Sequence, residues 1–98
     1  MTLKTSRFDA ADYLDTPEQI AAYLELVLEE DGDDPAFIQK ALGVAARAKG
    51  MAELARAADM DRASLYKALS EDGNPSFSTI SKVVRALGLE IRIGAAAA

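Results

Sequence analysis

The sequence predicts an all-α protein: a bundle of about five short helices followed by a short C-terminal β-strand. Three observations carry that expectation. Apolar residues recur at helical spacing from Ile20 to Leu87, helix-start residues precede the periodic stretches, and the period changes to two only at Leu89–Ile93. The 98 residues allow one compact domain with a modest extension. Half of them are hydrophobic, with alanine prominent and only 6% aromatic, which suits short helices packed closely together.

Met1–Asp15 carries apolar anchors (Leu3, Phe8, Tyr13, Leu14) without a sustained period. Thr16-Pro17-Glu18-Gln19 then announces a helix over about 17–30, with Thr16 as cap, proline at the first helical position and Gln19 closing a capping box. Its apolar stripe is Ile20, Tyr23, Leu24, Val27 and Leu28, and the acids and glycine of Glu29–Asp33 stop it. Asp34-Pro35 restarts a helix that runs to about Ala48, with Ile38, Leu42 and Ala45 inward and Gly50 at its end. Gly43 inside it is expected to mark a close crossing by another helix, since it costs about 1 kcal/mol relative to alanine. Two short helical patterns follow, at about 51–58 and 62–70, then the turn Glu71-Asp72-Gly73-Asn74-Pro75. Ser76 caps a last helix carrying Phe77, Ile80, Val83, Val84 and Leu87, and Gly88 terminates it. Three segments result: an acidic extension over 1–34, a main domain over 35–88 and a tail over 89–98.

Composition excludes much chemistry. There is no histidine and no cysteine, so His-containing triads, imidazole metal sites, thiolate metal sites and disulfides are all ruled out. No enzyme activity, metal or cofactor is expected. No run of about 18 apolar residues could span a bilayer, and no basic-then-apolar leader is present, so a cytoplasmic protein without membrane contact is expected. The net charge of −5 is unevenly divided. Residues 1–34 hold two bases against ten acids, a net −8, whereas residues 35–98 hold nine bases against six acids, a net +3. The two halves are expected to face different partners, the plainer alternative being a solvated acidic arm.

The stretch from Met51 to Ser70 carries the functional signal. Leu54 and Ala55 face inward on a first short helix, the small Ala55 letting a second helix approach steeply, and Met60 plugs the turn. Asp61 caps the second helix and Leu65 and Leu69 pin it to the core. Its exposed face is then Arg62, Ala63, Ser64, Tyr66 and Lys67, a helix presented to a DNA major groove by its N-terminal end. Arg62 can bond guanine in bidentate fashion or clamp a phosphate; Lys67 can reach the backbone; Tyr66 can touch a thymine methyl or a phosphate; Ser64 can donate. Ser76, Ser78 and Thr79 crowd the start of the last helix, where exposed N–H groups favour a phosphate, and Lys49 is placed to touch flanking backbone. The alternative for each residue is an ordinary solvated surface or a simple cap.

Residues 51–88 resemble the Cro/C1-type (XRE-like) helix-turn-helix of the lambda-repressor-like fold. From Phe8-Asp9-Ala10-Ala11-Asp12-Tyr13-Leu14 through Leu65-Tyr66-Lys67-Ala68-Leu69, Gly73-Asn74-Pro75 and Leu87-Gly88-Leu89, the chain resembles the addiction-module antidote (antitoxin) family. One departure is Asp59, which stands where the motif's turn usually has glycine; aspartate tolerates the left-handed conformation at some cost. The resemblance implies a homodimer that represses its own operon at a palindromic operator in double-stranded DNA. It also implies a RelE/HigB-like toxin as protein partner, typically basic and so complementary to an acidic surface. Phe8, Asp9, Asp12, Tyr13 and Asp15 are the expected toxin-binding residues, with Tyr23 and Leu24 alternatively packing on the core. The tail is expected to be a strand whose Leu89, Ile91 and Ile93 mediate dimerisation, since a lone strand leaves its backbone unpaired; the alternative is a fraying tail. A stand-alone phage-like repressor and a protein-interaction module that has kept the fold remain as alternative functions.

Overall fold

The computed structural model describes residues 10–70 and 72–97. A 3-10 turn, Ala10–Tyr13, leads into five α-helices: α1 Pro17–Asp31, α2 Pro35–Lys49, α3 Met51–Ala57, α4 Arg62–Leu69 and α5 Phe77–Ala86. The starts agree with the capping signals. At α1 the Gln19 N–H donates to Thr16 Oγ1 (3.2 Å) while Gln19 Oε1 accepts from the Thr16 N–H (3.2 Å) and the Asp15 N–H (2.6 Å). Asp34 caps α2 by accepting from the Ala36 N–H at 3.0 Å. At the far end, α5 closes in a Schellman motif: Gly88, at φ +86, donates to the Arg85 carbonyl (2.9 Å) and Leu89 to the Val84 carbonyl (3.1 Å).

The core is organised around α2, which buries Ala41, Leu42, Val44, Ala45 and Ala46. Its alanines let α1, α3, α4 and the 3-10 turn approach closely on different sides. Leu54 of α3, Leu65 of α4 and Val83 of α5 have no exposed surface, and Leu87 keeps 1%. Each buried leucine is worth roughly 1.5–3 kcal/mol of apolar transfer. Leu14, Ile20 and Leu24 belong to the same cluster, with Tyr23 packed against it, so the acidic third of the chain shares this core.

Four expectations need correction. The tail Leu89-Glu90-Ile91-Arg92-Ile93 forms no strand; among the described residues no strand occurs at all, because no second extended segment offers a ladder of backbone partners. Gly43 does face another helix, α4, but the crossing does not require glycine: a Cβ there would lie 3.9 Å from the Leu69 carbonyl oxygen, ordinary van der Waals contact. Phe77, grouped with the apolar residues Ile80, Val83, Val84 and Leu87 of α5, is not buried with them but 73% exposed. It occupies the first helical position, and a Cβ at that position leans toward the helix N-terminus and beyond the end of the core. Leu28, the last member of the α1 stripe, is 53% exposed on an open cleft.

Candidate nucleic-acid interface

α3 and α4 are joined by residues 58–61, and the turn depends on one backbone conformation. Asp59 takes φ +58, the only non-glycine in the left-handed region among the described residues. That geometry lets the Met60 N–H return to the Ala55 carbonyl (2.9 Å) and the Asp59 N–H to the Arg56 carbonyl (3.2 Å), closing α3. Met60 packs on the core below, next to the buried Ala55. Asp61 then caps α4, accepting from the Ser64 N–H at 2.6 Å. Hydrogen bonds from the Ser64 backbone and side chain hold the Asp61 carboxyl below its ordinary range.

With Leu65 locked in the core, the opposite face of α4 is open. Arg62, Ala63, Ser64, Tyr66 and Lys67 are all exposed, Tyr66 by 52%. These five form the surface expected from the sequence, although the Ser64 hydroxyl already serves Asp61. Ser76 is the cap of α5: its Oγ accepts from the Thr79 N–H at 3.1 Å and lies 3.2 Å from Thr79 Oγ1. Ser78 is exposed and Thr79 half-buried. Lys49 is set apart from this group. It lies 3.9 Å from Glu53 and lines a small hollow with Leu14, Asp15 and Thr16.

Two features of this surface escaped the sequence reading. Phe77 stands exposed between Ser76 and Ser78, adding a large apolar side chain to the α5 end of the site. Gln39, reaching across from α2, donates through Nε2 to the carbonyls of Ala68 (3.1 Å), Ser70 (2.5 Å) and Gly73 (3.1 Å). It thereby satisfies acceptors at the C-terminal end of α4 and fixes that helix and the turn after it to α2. A sequence signal for it is absent, because the bonds span 29 to 34 residues.

Of the residues expected to meet a protein partner, Asp12, Tyr13 and Asp15 are exposed around the 3-10 turn, while Phe8 and Asp9 lie outside the described residues. In the tail, Leu89 packs against the core, Ile91 is 45% exposed and Ile93 95% exposed. Among the described residues no three His, Cys, Asp or Glu side chains gather as a metal site would require. None of the described helices is long and apolar enough to cross a membrane.

Comparison with known proteins gives this arrangement a family. Residues 4–95 match the family described as "Probable addiction module antidote protein". The chain belongs to it. A protein of Haemophilus influenzae is 44% identical over 93 residues, covering 95% of this chain and 94% of the relative; its own name, "Uncharacterized protein", assigns it no activity. No solved structure matches the chain. An antidote of an addiction module acts on a toxin, so family membership implies a protein partner, and it accords with a regulatory rather than a catalytic role.

Proposed function

We propose that this antidote is a DNA-binding antitoxin that neutralises a RelE/HigB-like toxin in the cytoplasm and represses its own operon. In this reading, residues 51–70 form a Cro/C1-type helix-turn-helix of the lambda-repressor-like kind, and α4 enters the major groove. The observation that carries it is the exposed face of α4: Arg62, Ala63, Tyr66 and Lys67 stand clear of the core on a helix fixed at its start by Asp61 and at its end by Gln39. Arg62 and Lys67 supply the charge, Tyr66 an apolar and hydroxyl contact, and the α5 start at Ser76, Ser78 and Thr79 backbone N–H groups for phosphate. Asp59 and Asp61 put two negative charges at the same end, which lowers non-specific affinity and leaves more of the discrimination to base contacts.

Operator palindromy requires a two-fold dimer, and the tail supports one. Ile93, 95% exposed, leaves apolar surface uncovered that a second copy can bury. Asp12, Tyr13 and Asp15, with Phe8 and Asp9, then contribute to the toxin-facing surface.

The deciding experiment is binding of the full chain to the DNA upstream of its own gene, as a function of salt. Arg62→Ala/Lys67→Ala is expected to lose operator affinity with its circular dichroism unchanged. Its slope of log affinity against log salt should flatten by about 1.8 per protomer if both side chains contact phosphates. Parent-like affinity and slope in the double variant would refute the assignment of α4 as the recognition helix.

A further inference from the structure

A broad concave feature lies apart from the α4 face. It is an open cleft of about 820 Å³ between α1, α2, α5 and the tail. Its floor is apolar, built from Leu24, Leu28, Ile38, Ile80 and Val84, and Leu28 and Ile91 keep about half their surface in solvent there. Its α1 wall carries Glu18 and Glu25, seven residues apart and so about 10.5 Å along one face of the helix. Among the described residues no base pairs with either carboxylate. On the opposite wall Arg92 is already committed, its Nε donating to Glu90 Oε2 at 2.7 Å and its Nη2 to the same oxygen.

We infer that this cleft is the docking site for an amphipathic, cationic helix of the toxin partner; the inference rests on the antitoxin reading above. An elongated apolar floor takes residues at i, i+3, i+4 and i+7 of a helix. The uncancelled pair Glu18 and Glu25 takes two bases spaced seven residues apart on that helix's flank. A second copy of this chain fits poorly, because a two-fold contact through the cleft would set Glu18 and Glu25 of one α1 against the same acids of the other. It would also bring together two segments of net charge −8.

The test uses the full chain and the purified product of the gene adjacent to its own, with affinity measured by calorimetry. Glu18→Lys/Glu25→Lys is expected to bind at least 30-fold more weakly and Leu28→Gln about 5-fold or more. The control Glu30→Lys/Asp33→Lys, with the same charge change outside the cleft, should stay within about twofold of the parent. All four side chains substituted on α1 are exposed, so melting temperatures should hold, and circular dichroism checks this. If the parent binds and the cleft variants bind equally well, the cleft proposal falls while the antitoxin reading stands. Absence of binding by the parent itself overturns that reading and the cleft proposal with it. A chain that sediments alone as a dimer and becomes monomeric in Leu28→Gln would show the cleft filled by a second copy, which also overturns the proposal.

Discussion

Gln39 allows a quantitative prediction, because one carboxamide serves three carbonyls from a different part of the chain. Its two N–H groups are shared among Ala68, Ser70 and Gly73 at 2.5–3.1 Å, with the bonds to Ala68 and Gly73 partly buried. Two donors at about 1 kcal/mol net each give about 2 kcal/mol for Gln39→Ala. For a domain of this size that corresponds to a melting temperature lower by about 8–16 °C. Gln39→Glu should be worse, by roughly another 1 kcal/mol, since it replaces two donors with an acceptor-only carboxylate beside three carbonyl oxygens at the negative end of α4. The sign with pH follows. A carboxyl held there has its folded pKa raised above the unfolded value. The extra deficit is therefore absent below the ordinary carboxyl range and develops as pH rises through the folded value. Urea unfolding of the parent and both variants at pH 7 and pH 4 measures this. Stability of Gln39→Ala within about 0.5 kcal/mol of the parent, with Gln39→Glu no worse than Gln39→Ala at pH 7, would refute the reasoning.

Three further outcomes are expected from the same denaturation assay or from operator binding. Asp59→Gly should stabilise the fold by about 0.5–1 kcal/mol, relief of left-handed strain exceeding the entropy glycine adds to the unfolded chain, and should strengthen non-specific DNA binding by removing a negative charge. Gly43→Ala should stabilise by about 0.5–1 kcal/mol, because the new Cβ meets only the Leu69 carbonyl at 3.9 Å. Asp61 contributes cap stability that is present above its unfolded pKa and lost as pH falls through its lowered folded value. Asp61→Asn, which caps without charge, should flatten that part of the acid limb in a pH titration of melting temperature.

Local chemistry was the legible part of this molecule. Thr16 with Gln19, Asp34 with Pro35, Asp61 and Ser76 are each read from neighbours within three residues, and all four start helices as their side chains dictate. Asp59 could be placed in a left-handed turn only through the resemblance, since it stands where the helix-turn-helix motif usually has glycine. What escaped depends on distance in sequence or on what lies outside a helix. Gln39 has the composition of an ordinary surface residue until α4 is folded beside it. Leu28 and Phe77 satisfy the periodicity of their helices, yet periodicity cannot separate a stripe covered by a neighbour from one lining a cleft or overhanging a helix end. The alternation of Leu89–Ile93 describes a segment able to become a strand, and within one chain it has no partner strand.

Gly73 sets a dimension. A Cβ there would run into the Lys67 carbonyl oxygen and stand 2.8 Å from that of Ala68, both backbone atoms that cannot swing aside. The position is therefore closed to nineteen of the twenty residues by occupied space, and the stretch from Ser70 to Pro75 acts as a spacer of set length. It fixes how far the Arg62–Lys67 face of α4 stands from the Ser76 end of α5. A one-residue insertion or deletion in that spacer would change the span between two parts of the proposed recognition surface without touching either, much as altering the shank of a calliper changes what its jaws can measure.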